Sequence, residues 1–197
     1  MRIGLFGGTF NPVHYGHLIL AEEARVKMKL NKIFFIPTGI PPHKTSILLA
    51  GKLHRMNIVK LAIKDNKYFS LSDYEIKKST PSYTYQTIEY FKKLYPADEL
   101  YFIIGADMLK QIHTWKKGIK ILDYCKFIVG LRPKFSIKSI SKSIYQKVIF
   151  IRIPYVDISS TNLRDRVKNS QSIKYLTPEP VIDYIIRHKL YRSQESR

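Results

Sequence analysis

The chain has 197 residues, 45% of them hydrophobic and 25% charged, which is enough apolar material to bury one real core. No apolar run approaches the roughly 20 residues that a membrane span needs, and no signal-peptide pattern opens the chain, so no membrane is expected and the cytoplasm is the default location. A formal net charge of +19 invites polyanions, yet the basic residues are spread along the chain with no zinc-finger spacing or RNP aromatic pattern, so no specific nucleic acid is expected as partner. The lone Cys125 cannot form an internal disulfide, and its place ahead of Phe127, Ile128 and Val129 reads as packing rather than chemistry.

The first element is an apolar run, Ile3 to Phe6, that reads as a strand and ends in Gly7-Gly8-Thr9-Phe10-Asn11-Pro12. The glycines let backbone N–H groups approach an anion, Asn11-Pro12 turns the chain, and a helix follows to about Lys29. His14 and His17 stand three residues apart at the start of that helix, so both imidazoles can share one side with the positive end of its dipole. The run Ile33 to Ile36 is a second buried strand, and strand, helix, strand reads as a βαβ unit of a doubly wound parallel sheet. Pro37 closes it, and the proline-stiffened loop Thr38 to Lys44 carries His43 and Lys44 on the ligand side of such a sheet. Leu53, Met56, Val59 and Ile63 recur at helical spacing, which predicts a packing helix with Arg55 on its opposite flank.

A short strand is expected at Phe69 to Ser72, then a polar loop to Pro81, then a helix opened by Ser82 to Thr87, where a hydroxyl can cap the first amides. Leu100 to Gly105 is the clearest buried strand, and Asp107 just beyond it either binds a ribose or a metal-bound water or caps a new helix. Trp115, among His113, Lys116 and Lys117, could stack on an aromatic ring. Further strands are expected at Phe127 to Leu131 and Val148 to Ile151, with Arg132 turning out of the first. Ser160, Thr161 and the first-turn amides of the next helix form an anion cradle, with Arg164 one turn on. A last helix begins at Pro178, and the polar tail follows Tyr191.

The ordered set Gly7 to His17, Pro41-Pro42-His43-Lys44, Arg55-Met56, Ser82-Tyr83-Thr84, Phe102 to Asp107, Trp115 and Ile158 to Arg164 resembles bacterial nicotinate-nucleotide adenylyltransferases, in the His-x-Gly-His nucleotidyltransferase superfamily. The resemblance implies a single Rossmann-like α/β domain over residues 1–191, with 192–197 a tail. It implies transfer of AMP from ATP to nicotinate mononucleotide, with Mg²⁺ carried mainly by the ATP phosphates and no metal ligands in the protein. Gly7, Gly8, Thr9 and Phe10 would line the phosphates with His14 and His17, and Lys44, beside His43, would approach them. Gly105 and Asp107 would hold the ribose region, and Ser160, Thr161 and Arg164 the ATP phosphates. His14, His17, Lys44 and Arg164 would supply the catalytic charge. Thr84 and Tyr85 would offer amides to the nicotinate carboxylate, Trp115 would stack on its ring, and Arg132 would assist. Two departures stand out: Asn11 where the family usually has Asp, and Gln86 where Ser-Tyr-Thr-x-Asp is usual. The same chemistry on nicotinamide mononucleotide or phosphopantetheine is the nearest alternative, and a basic nucleic-acid-binding protein the alternative of another class. Assembly into a homo-oligomer stays open.

Overall fold

A computed structural model describes residues 1–41, 49–131 and 140–192. Six strands form one sheet: β1 (Arg2–Gly8), β2 (Lys32–Pro37), β3 (Phe69–Leu71), β4 (Glu99–Gly105), β5 (Lys126–Leu131) and β6 (Val148–Arg152). Every pairing is parallel, and the strand order is β3-β2-β1-β4-β5-β6. Residues on one face of a strand alternate with those on the other, and here both faces are covered, which is why the strands read as unbroken apolar runs. Ile3 and Leu5 join one apolar layer with Phe34, Ile36, Phe102 and Val129, while Phe6 joins the other with Ile33, Phe35, Ile103 and Ile128.

The second layer is completed by α1 (Tyr15–Met28), α2 (Lys52–Ile63), α6 (Ser160–Lys168) and α7 (Glu179–Arg187), the first by α3 (Thr84–Leu94) and α4 (Ala106–Lys110). A short α5 (Lys142–Tyr145) precedes β6. This is the doubly wound, Rossmann-like arrangement expected from the βαβ reading. Among the described residues no helix is long and apolar enough to cross a membrane.

Two local expectations are corrected. On α2, Leu53 is 60% exposed whereas Arg55 is 1% exposed, because the inward stripe runs through Arg55, Ile58, Val59 and Ile63. A charged residue occupies that stripe because backbone carbonyls are waiting for it, a fact that periodicity of apolar residues cannot register. At α3 the N-cap is Tyr83 and no side chain caps the helix; Thr84 is already its first residue and Ser82 is buried before it. The expected hydroxyl cap is therefore absent, and the first amides of α3 are left for something else.

Candidate active site

In an open parallel sheet the ligand crevice lies beyond the carboxyl ends of the strands, where the order of the strands reverses. Here that point falls between β1 and β4, and a cavity of about 860 Å³ opens there, bounded by Gly7 and Gly8 at the end of β1, Gly105 at the end of β4 and Gly130 in β5. Thr9, Phe10, His14 and His17 continue its wall from β1 into α1. Tyr83, Thr84, Trp115 and Lys116 line it as well, and so do Ser159, Ser160, Thr161 and Arg164, the last group bonded to the β1–α1 loop through Ser160 and Arg164. Residues widely separated in sequence thus share one chamber.

The β1–α1 loop is held by its carbonyls. Arg55 Nη1 donates to the Thr9 carbonyl at 2.9 Å, Arg164 Nη1 to that of Asn11 at 2.9 Å, Ser160 Oγ to that of Pro12 at 2.8 Å, and Thr177 Oγ1 to that of Val13 at 2.8 Å. The Asn11 side chain accepts the Ala50 N–H at 3.1 Å, so an uncharged amide serves where a carboxylate would be usual. Asn11-Pro12 is a cis peptide bond, and Phe10 sits in the left-handed region at φ 46°.

His14 is the N-cap of α1 and 4% exposed. Its backbone N–H donates to Nδ1 of His17 at 3.2 Å, and the two rings lie 3.7 Å apart between centroids, tilted by 33°. An Nδ1 that accepts leaves the proton of the neutral His17 ring on Nε2, which makes Nε2 the donor of that ring. Phe10 meets the His17 ring edge-on at 5.2 Å and restricts its rotation.

At α6, Ser159 caps the helix by accepting the Asn162 N–H at 3.1 Å. The amides of Ser160 and Thr161 are among those a helix leaves without an intrahelical partner, and they face the same end of the site as the start of α1. The Ser160 hydroxyl spends its proton on the Pro12 carbonyl, so its share of an anion cradle is the backbone amide rather than the side chain. Arg164 likewise spends part of its fork on Asn11 and part, through Nη2 at 3.2 Å, on Thr161 Oγ1. It braces the loop as well as facing the cavity.

Asp107 is exposed in the first turn of α4, behind the N-cap Gly105, so it is not the cap itself. A Cβ on residue 105 would fall 2.5 Å from Asp107 Oδ1, so glycine there gives the carboxylate its position. Trp115 is half-buried on the cavity wall. Tyr85 departs from the wall: its half-buried ring packs beside Tyr83 and Tyr124, which leaves its backbone amide as the group at the α3 start. His43, Lys44 and Arg132 lie outside the described residues.

Sequence reasoning missed Glu75. It is 5% exposed, lines the cavity and accepts the Thr87 Oγ1 proton at 2.6 Å, while burial raises its pKa against the pull of Thr87, Lys78 and Arg55. It missed the apolar wall of Ile153, Pro154 and Val156 beyond β6 as well. Neither carries a motif; a polar loop and a strand exit become site residues only once the sheet brings them in. Gln86 accepts a hydrogen bond from Lys78 Nζ at 2.8 Å, so an uncharged partner leaves that lysine its full charge near the start of α3.

The cytidylyltransferase-like family model matches residues 5–166. A probable nicotinate-nucleotide adenylyltransferase of Clostridium tetani is 44% identical, over 95% of this chain and 98% of that protein. One of Thermoanaerobacter sp. is 41% identical over 99% and 96%. Among solved structures, the nicotinic acid mononucleotide adenylyltransferase of Plasmodium falciparum complexed with NaAD superposes with a TM-score of 0.79 at 28% identity, covering 96% of this chain and 97% of that one. The chain therefore belongs to the cytidylyltransferase-like nucleotidyltransferases and, within them, to the nicotinate-nucleotide adenylyltransferases.

Proposed function

We propose that the protein transfers the adenylyl group of ATP to nicotinate mononucleotide, forming nicotinate adenine dinucleotide and pyrophosphate. The observation that carries this reading is that one cavity is lined both by two helix starts with Arg164, read as its phosphate end, and by the α3 start with Trp115, read as its acceptor end. A polyphosphate suits the first end and an aromatic acid the second.

A phosphate oxygen of the mononucleotide attacks the α-phosphorus of ATP, and the bond from that phosphorus to the bridging oxygen breaks, the electron pair leaving with pyrophosphate. No protein nucleophile takes part. His17 donates from Nε2 to a phosphate oxygen, His14 keeps the His17 ring in place, and Arg164 with the amides of α6 receives the charge that builds on the departing phosphates. Lys44, in the stretch of chain between β2 and α2, adds a cation, and Asp107 accepts from the ribose. Amides of Thr84 and Tyr85 hold the nicotinate carboxylate, which gives the acid its advantage over the amide. The phosphate end offers cations and N–H donors, which fit phosphate oxygens rather than a metal, so Mg²⁺ would be held by the ATP phosphates and would shield the charge of the triphosphate. Residues 1–191 act as one catalytic domain, in keeping with Tyr191 being part of the core. A lone cysteine, which suits a reducing compartment, and water-soluble nucleotide substrates support a cytoplasmic setting for the reaction.

The test is pyrophosphate release with MgATP and either nicotinate mononucleotide, nicotinamide mononucleotide or no acceptor. Release with the acid well above the other two is expected. Preference for the amide overturns the substrate assignment, and salt-sensitive DNA retention with no turnover would favour the nucleic-acid reading.

A further inference from the structure

Arg55 lines no part of the cavity, yet it is among the largest side chains that are fully enclosed, at 1% exposure. Its three kinds of nitrogen go to three different segments: Nε to the Ala50 carbonyl at 3.0 Å, Nη1 to that of Thr9 at 2.9 Å and Nη2 to that of Gly39 at 2.8 Å. All three acceptors are neutral. Burial lowers the pKa of the guanidinium, with Tyr191 and Glu75 within electrostatic reach to oppose it, and an arginine keeps its proton under such a shift. A buried cation of this kind is expensive as a mere space-filler, because an apolar side chain would fill the same volume without the desolvation cost.

Of the three acceptors, Thr9 lines the cavity, and Gly39 and Ala50 adjoin its lining residues Thr38 and Leu49. Thr9 belongs to the loop at the phosphate end. In a trans peptide the carbonyl oxygen and the following N–H lie in one plane and point in opposite directions, so a Thr9 oxygen drawn onto Arg55 turns the Phe10 N–H away from Arg55. Gly39 follows β2, and a Cβ there would stand 2.0 Å from the Glu75 carbonyl oxygen, so this backbone is pressed against the segment carrying Glu75. Glu75 in turn accepts from Thr87 of α3, the helix whose start faces the other end of the cavity. One rigid fork therefore fixes the phosphate loop and the backing of the acceptor end relative to each other.

We propose that Arg55 is a positioning residue for the transfer, setting the register between the two substrate ends, and that its planar fork rather than its charge alone is what the reaction needs. The proposal rests on the adenylyl-transfer reading above. In-line attack requires both substrates in one geometry, whereas each substrate can bind when only its own end is intact. Loss of the fork therefore lowers kcat and leaves the two KM values close to their original levels.

The test compares wild type, Arg55→Lys and Arg55→Met in steady state, varying MgATP and nicotinate mononucleotide in turn, with melting curves and hydrogen exchange of residues 7–14 and 37–41. Arg55→Lys keeps the charge and loses the fork. It should fold, lose at least tenfold in kcat with each KM within about threefold, and show faster exchange in both segments together. Arg55→Met should lose more. A folded Arg55→Lys protein with kcat within twofold of wild type overturns the proposal, even if its melting point falls. So does a rise in one KM with kcat intact. Should Arg55→Met fail to fold, Arg55→Lys decides alone. If wild type itself gives no turnover with the acid, the functional reading has failed, and unchanged exchange in both segments of Arg55→Lys then overturns the positioning role separately.

Discussion

Arg164 reaches across 153 positions of sequence to donate from Nη1 to the backbone carbonyl of Asn11, 2.9 Å away. The contact ties the start of α6 to the loop that leads into α1, so two helix N-termini that can each receive phosphate are held at a fixed separation. A charge-assisted bond to a carbonyl is stronger than a neutral one and is directional.

Replacing Arg164 by lysine keeps a cation and removes the fork that serves Asn11 and Thr161 at once. The expected loss in kcat/KM is about 10²–10³-fold, the effect of removing one preorganised donor to a developing negative charge. Steady-state kinetics with MgATP varied check this; a variant within threefold of wild type would show that Arg164 is only a brace.

His17→Ala removes the Nε2 donor and the acceptor for the His14 N–H. Turnover should fall by roughly 2 to 4 kcal/mol of transition-state stabilisation. Affinity for a non-reacting ATP analogue, measured by calorimetry, should change far less. Near-normal turnover in a folded variant is the result that removes His17 from the mechanism.

Glu75 has its pKa raised by burial, so between the ordinary carboxylate pKa and the raised folded-state value the folded protein holds a proton that the unfolded chain has released. Stability from this group is fully present below the ordinary carboxylate pKa and declines as pH rises towards the raised, folded-state value. Glu75→Gln retains an acceptor for Thr87 and carries no charge. Its melting temperature should exceed that of wild type at neutral pH, with the gap closing in acid. Parallel melting curves from pH 4 to 8 would contradict the assignment.

Burial pushes the Cys125 thiol up to about 12, which leaves almost no thiolate at neutral pH. Iodoacetamide should label the native protein far more slowly than the unfolded one at pH 8. Cys125→Ala should keep turnover within about twofold of wild type.

Much of the fold was legible in the sequence because its rules are local. Runs such as Ile33 to Ile36 and Leu100 to Gly105 are apolar on both faces, which only a sheet covered twice allows, and glycine and proline mark where those strands end. The groups that line the cavity at the start of α1 were legible for a similar reason: a helix start, its cap and a histidine pair lie within a few residues of one another. Local chemistry announces itself locally.

What the tertiary structure alone decided is which distant groups pay court to the same backbone. That Arg55 points inward could not be read from α2, since its partners are carbonyls of Thr9, Gly39 and Ala50, and carbonyls have no sequence signature. Nor could Glu75 be found, because it enters the site only when Thr87 of α3 is laid beside it. The sequence by itself determined most of the elements, the doubly wound parallel sheet and the turn and histidine motif at the start of α1, because periodicity and capping are encoded within one or two turns of chain. The bracing of the loop and the environment of Glu75 were settled by packing, because desolvation and hydrogen-bond geometry exist only after segments up to 164 positions apart have met.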